Sequence, residues 1–318
     1  MKLSYIANNP LAKKPVIYGI EGHFLTQQEQ DFFRQNGCLG FILFSRNIAS
    51  KTQVKQLTQQ IKQLMQGEVF ILIDQEGGRV ARLTSPEWPQ FPSGSYFANL
   101  YQQNQSLALH AIRQNFAEIG NELKQLGINT NCAPVLDILH KCTHHIIGNR
   151  AYGSDPLQVA NLGLSVCEGL LDAGIMPVIK HIPGHGRANA DSHLELPVVD
   201  AELNDLIKTD FVPFMQLKQQ KLAMTAHVLY SKIDADNCAT ISSKAIQIIR
   251  QTIGFDNILI TDDLSMKALK NNVANNAIDA LQAGCDIVLH CNGNLDEMQQ
   301  INAVLPEISN QLKNKLHD

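Results

Sequence analysis

The sequence predicts a single (β/α)₈ barrel, and three observations carry that prediction. Eight short apolar, β-branched runs recur along the chain, and stretches with helical spacing or capping signals lie between them. The runs are nearly continuous in apolar residues, as in parallel strands covered by helices on both faces. A length of 318 residues with 44% apolar content suits one large barrel core.

In chain order the strands are expected at 15–20 (PVIYGI), 39–44 (LGFILF), 69–74 (VFILID) and 128–137 (INTNCAPVLD). The other four are expected at 176–180 (MPVIK), 222–228 (LAMTAHV), 257–263 (NILITDD) and 285–290 (CDIVLH). The first helix is bracketed by a capping box from Thr26 to Glu29 and a stop at Gly37. The second opens on a capping box from Ser50 to Gln53, places Val54, Leu57, Ile61 and Leu64 on one face, and stops at Gly67. The glycine- and proline-containing run from Gly77 to Gly94 reads as a long loop over one barrel face. Further on, Asp155 is expected as an N-cap, Pro156 as the first helical residue and Gly174 as the stop. A doubly wound sheet is the competing architecture. Against it, the first strand-turn lacks a G-x-G-x-x-G fingerprint and a following ribose-binding acid. No repeat, low-complexity tract or linker divides the chain, so 1–318 reads as one domain.

Charged residues make up 18% of the chain and the net charge is -4, which gives no electrostatic reason to expect nucleic acid or an anionic membrane as partner. A small-molecule ligand is expected, with the protein a monomer. No stretch approaches the roughly 18 apolar residues that span a bilayer, and the N-terminus lacks the apolar run of a signal peptide, so a cytoplasmic location is expected. The seven cysteines are scattered without a C-x-x-C pair and read as reduced core thiols.

In parallel barrels the reacting groups come from the C-terminal ends of the strands. Polar residues collect at those ends here: Asp74, Asp137, Lys180 with His181, His227, Asp262 with Asp263, and His290. The segment IKHIPGHGRANADSH, residues 179–193, is the densest of them. His181 and His185 have the spacing of paired metal ligands on a helix, but Pro183 and Gly184 between them exclude the helix, and no metal is expected. The segment also lacks the G-K-[ST] ending of a phosphate loop. Asp191 and His193 are two apart, which in an extended loop puts a carboxylate beside an imidazole, a pair able to handle protons near neutral pH. Asp262 and Asp263 bring a carboxylate to the mouth, suited to a nucleophile, a base or a metal contact. A carboxylate nucleophile and a separate acid/base are the parts that retaining glycoside cleavage requires. Asp74 with Arg79 and Arg82 suits hydrogen bonds to sugar hydroxyls, and equally a structural ion pair.

Taken together and in this order, IDQEGGRVARL, IGNRAYG, KHIPGHGRANADSH and ITDDLSM resemble glycoside hydrolase family 3, specifically its single-domain bacterial β-N-acetylglucosaminidases of peptidoglycan recycling. The resemblance runs from Gly19 to His290. It implies a retaining exo-enzyme on a (β/α)₈ barrel that needs no metal or organic cofactor. It implies Asp262 as nucleophile with Asp263 as a structural neighbour, and His193 as acid/base with Asp191 as its orienting carboxylate. The family's sugar-binding positions fall on Asp74, Arg82, Arg150, Lys180 and His181. The implied substrate is the N-acetylglucosaminyl-1,6-anhydro-N-acetylmuramic acid unit, with or without its stem peptide. Two other readings stay open. One is a phosphorylase, because a histidine acid/base does not repel phosphate as a carboxylate would. The other is a barrel that binds amino sugars without turning them over. His185 has no assigned role.

Overall fold

The computed structural model describes residues 3–141, 143–188, 190, 192, 195–269 and 271–317. Eight parallel strands close into a barrel: β1 Val16–Gly19, β2 Gly40–Leu43, β3 Phe70–Ile73, β4 Thr130–Asn131, β5 Met176–Ile182, β6 Leu222–Thr225, β7 Ile258–Asp263 and β8 Ile287–His290. Each strand pairs with the next in sequence, and β8 closes on β1 through Val16 to Val288 and Ile17 to Leu289. Every expected run therefore coincides with a barrel strand, and β5 extends two residues beyond its run.

Alternation along the strands sorts the apolar side chains into two cores. Ile17, Ile42, Phe70, Leu72, Val178, Leu222, Met224, Ile260 and Leu289 fill the barrel interior. Tyr18, Phe41, Ile71, Ile179, Ala223, Leu259 and Val288 face outward and pack under the helices. Ile6 from the short helix Ser4–Ala7 and Leu312 and Leu316 from the last helix, Asn310–His317, belong to the interior cluster as well, so both terminal segments contribute to the barrel's core.

The fourth strand is shorter than its apolar run. Only Thr130–Asn131 pairs regularly, and Val135 makes an isolated bridge to Lys180. The cause is side-chain competition with the ladder. Asn129 accepts from the Ile71 N–H at 2.9 Å and donates to the Val69 carbonyl at 2.8 Å, while Asn131 does the same with both backbone groups of Gln75 at 3.0 Å. Pro134, just beyond, has no N–H to offer.

The helix signals hold with one exception. Thr26 and Glu29 form a complete capping box on Gln27–Asn36, and Gly37 ends that helix at φ 69°. Asp155 caps Pro156–Asp172 through the Gln158 N–H at 2.7 Å, and Gly174 follows at φ 83°. On Lys51–Leu64, Ser50 accepts from the Gln53 N–H, but the Gln53 side chain accepts from Ala49 instead of closing the box on Ser50. The left-handed residue after this helix is Gln66 at φ 57°, not the expected Gly67. The run from Gly77 to Gly94 is not wholly loop: Gln75–Gly77 pairs antiparallel with Val80–Ala81 over the barrel mouth.

Candidate active site

A cavity of about 440 Å³ opens at the C-terminal ends of the strands. Asp74, Arg82, Arg150, Lys180, His181 and Asp262 all line it, so the structure gathers six of the eight expected site residues around one space. Asp191 and His193 lie outside the described residues, although Ser192 between them lines the cavity.

One wall is an ion network built from β3 and β5. Lys180 Nζ lies 2.8 Å from Asp74 and 2.7 Å from Glu76. Arg82 holds the second Asp74 oxygen at 3.0 Å, and Arg150 binds Glu76 through two bonds of 2.8 Å each. Burial alone would raise both carboxyl pKa values, yet the cations reverse its effect. Lys180 and Arg82 hold Asp74 far below the usual carboxylate range, and Arg150 and Lys180 hold Glu76 at about 2. Two carboxylates thus face three cations, and the surplus positive charge borders the cavity into which Asp262 projects. Such a wall offers fixed donors and acceptors to a polar ligand at no further ordering cost.

Glu76 was not among the expected residues. Its signal was present, since Asp74 and Glu76 are two apart in an extended run and share a side of it. Lys180 and His181 are adjacent yet both reach the cavity. The β5–β6 register shifts between Lys180 and Ile182, so the regular alternation of side chains is broken there.

His181 Nδ1 lies 2.7 Å from Asp137, which is fully buried and also accepts from the His185 backbone N–H at 2.7 Å. Burial would raise the Asp137 pKa, but the His181 and His185 rings outweigh it and hold it at about 2. An ionised carboxylate only accepts, so His181 carries its proton on Nδ1 and turns Nε2 toward the cavity. Asp137 orients a lining residue without itself lining the cavity. His185 does line it, although its Nδ1 is buried with no hydrogen-bond partner among the described residues.

Asp262 ends β7. Its backbone N–H donates to Thr225 Oγ1 at 3.3 Å, and its carboxylate accepts from the Asp263 N–H at 2.8 Å. Asp263 acts as a tie between strands. Its oxygens accept from the Ser265 N–H, the Ser265 hydroxyl and the Cys291 N–H, linking β7 to the residue after β8. Also at the cavity, Phe44 carries the Arg46 and Arg82 guanidiniums at 5.0 and 5.2 Å from its ring centre. Arg46 stands three residues past β2, where the strand-end rule that found the others applies equally. Arg79 donates to the His145 carbonyl at 2.9 Å and to Asn149 at 3.2 Å, which anchors the segment leading to Arg150.

Two other strand-end residues do not line the cavity. His227 bonds Thr240 and the Asp263 carbonyl. His290 is fully buried, 2.7 Å from Glu297 and edge-on to Tyr18. Val288 faces outward and Leu289 inward, so alternation along β8 turns His290 outward, against Tyr18. The six described cysteines are free and buried. Among the described residues no cluster of three or more histidine, cysteine or acidic side chains is placed to hold a metal ion, and no helix is long and apolar enough to cross a membrane.

The mouth of this closed parallel barrel gathers carboxylates, cations and an oriented imidazole around one cavity, the arrangement of an enzyme's active site. Residues 19–315 match the sequence profile described as the glycosyl hydrolase family 3 N-terminal domain. β-Hexosaminidases of Aromatoleum aromaticum and Nitrosomonas eutropha are 36% and 37% identical to this chain over 87% of its length and 79% and 80% of theirs. The crystal structure of NagZ from Neisseria gonorrhoeae in complex with N-trifluoroacetyl-D-glucosamine is similar at TM-score 0.88 and 32% identity, covering 96% of this chain and 89% of that one. A family 3 β-N-acetylglucosaminidase from Paenibacillus sp. is similar at TM-score 0.87 and 28% identity, covering 99% of this chain and 61% of that one. The chain belongs to glycosyl hydrolase family 3, and it is a glycoside hydrolase.

Proposed function

We propose that this protein is a retaining exo-β-N-acetylglucosaminidase that removes terminal β-linked N-acetylglucosamine from N-acetylglucosaminyl-1,6-anhydro-N-acetylmuramic acid, with or without peptide, during cytoplasmic cell-wall recycling. The observation that carries the reading is Asp262 at the end of β7, its carboxylate lining a cavity walled by Asp74, Arg82, Arg150, Lys180 and His181. The β-hexosaminidase and NagZ relatives support the amino-sugar specificity.

Asp262 attacks the anomeric carbon while protonated His193 gives its proton to the leaving oxygen, breaking the glycosidic bond and forming a glycosyl ester on Asp262. Neutral His193 then takes a proton from water, whose oxygen attacks the same carbon and releases Asp262 as a carboxylate. Asp191 orients the His193 ring. Asp74, Arg82, Arg150, Lys180 and His181 bind the sugar, with Glu76 fixing Arg150 and Lys180 from behind.

The test is turnover of a nitrophenyl β-N-acetylglucosaminide with identification of the sugar product in phosphate buffer. Free N-acetylglucosamine from the wild type and no turnover by Asp262→Asn are expected. A sugar 1-phosphate would replace this reading with phosphorolysis, and full activity in Asp262→Asn would remove the nucleophile assignment.

A further inference from the structure

Beneath Asp262, the ends of β6 and β7 are joined by a closed set of polar side chains that the sugar-binding wall does not use. Thr225, His227 and Thr240 are each fully buried. The Asp262 N–H donates to Thr225 Oγ1 at 3.3 Å, and Thr225 Oγ1 lies 2.8 Å from Thr240 Oγ1. Thr240 Oγ1 lies 2.7 Å from His227 Nδ1 and 3.2 Å from the Ala226 carbonyl. His227 Nε2 lies 2.9 Å from the Asp263 carbonyl.

A carbonyl only accepts, so His227 Nε2 carries a proton. Thr225 Oγ1 accepts from the Asp262 N–H and shares a bond with the Thr240 hydroxyl, which also reaches the Ala226 carbonyl. Nδ1 meets the Thr240 hydroxyl, so one ring joins the Asp263 carbonyl directly and the Asp262 N–H through two hydroxyls.

We propose that His227 is a positioning residue for the nucleophile: a buried ring that holds the Asp262–Asp263 end of β7 through the Asp263 carbonyl on one side and, by way of Thr240 and Thr225, the Asp262 N–H on the other, and so fixes the direction of the Asp262 carboxylate. The proposal rests on Asp262 being the nucleophile. Burial disfavours a charged ring, but the Cys238 side chain and the Asp262 carboxylate outweigh it and raise the ring's pKa to about 9. His227 is not among the residues lining the cavity, so its loss acts through Asp262 and not through sugar contacts.

The experiment compares His227→Gln, Thr240→Val and Thr240→Ser with the wild type and with Asp262→Asn on the nitrophenyl substrate, with thermal melts to select folded protein. Gln is neutral, Val removes the Thr240 hydroxyl, and Ser restores it. The expected result is a fall in kcat of about tenfold or more for His227→Gln and Thr240→Val with KM within about twofold, and recovery of most of kcat in Thr240→Ser. If His227→Gln does not fold, the Thr240 pair decides alone. A kcat near wild type in His227→Gln and Thr240→Val, or a loss confined to KM, while Asp262→Asn is inactive would overturn the positioning role and leave the nucleophile standing. Activity in Asp262→Asn would instead overturn the reading beneath it.

Discussion

His185 is the imidazole the cavity buries most completely, and its surroundings decide its charge. Desolvation lowers its pKa from 6.5 to about 4, against the pull of Asp137. The folded protein therefore holds His185 neutral at pH values where the unfolded chain protonates it. Stability attributable to this residue is complete above pH 6.5 and is lost as the pH falls toward 4, because the unfolded state then binds more protons. A difference of that size corresponds to roughly 3 kcal/mol. Urea unfolding at pH 7 and pH 4.5 measures it: His185→Gln should lose less stability between the two than the wild type, and equal losses would show that His185 does not contribute. At this scale the sequence indicated the cavity better than the residues behind it. Asp74, Lys180, His181 and Asp262 announced themselves by ending apolar strands. Asp137, His227 and His290 carried the same signal yet do not line the cavity, since position along a strand does not reveal how its last side chain turns. Glu76 and Arg46 carried weaker signals, Glu76 through its two-residue spacing from Asp74 and Arg46 by standing three residues past β2, because neither is itself the residue that ends a strand.

The segment after β5 is held by close backbone approach as well as by side chains. Gly186 packs so tightly on the preceding crossover that an added Cβ would sit 1.9 Å from the Ile138 carbonyl oxygen, whereas one at Gly22 would meet nothing within 4 Å. Thr143 Oγ1 also accepts from the His140 N–H at 2.6 Å and donates to the Gly186 carbonyl at 2.5 Å, which ties the two loops together. Gly186→Ala is expected to displace the segment leading to the proposed acid/base. Its kcat/KM on a disaccharide should fall by about tenfold or more, while Gly22→Ala stays near wild type. Steady-state kinetics of the two variants decide this, and equal activities would mean that the packing at Ile138 does not position the loop. Strand and helix types were readable from apolar runs and caps, but lengths were not. The fourth strand is cut short by Asn129 and Asn131 bonding to the β3 backbone, and Gln66 took the left-handed turn for which Gly67 is the better-suited residue. Both are local competitions for backbone hydrogen bonds, which periodicity does not record.

For the molecule as a whole, the barrel explains why chemistry gathers at one end. Eight apolar strands fill the interior with layers that exclude water, and the terminal segments add Ile6, Leu312 and Leu316 to the same core, so charged groups are tolerated only where the strands end in loops. That end brings residues distant in sequence, Asp74, Arg150, Lys180 and Asp262, around one cavity, with a surplus of positive charge facing the carboxylate assigned as nucleophile. This architecture was legible from the eight apolar runs alone, because few folds accommodate eight buried parallel strands in one chain of this length. The central claim is double displacement through a glycosyl ester on Asp262, and its stereochemistry is observable directly. Proton NMR of the anomeric signal, recorded from the first moments of hydrolysis of a β-N-acetylglucosaminide, should show β-N-acetylglucosamine forming first and the α anomer appearing only later by mutarotation. An α anomer formed first would mean direct displacement by water and would contradict the double displacement.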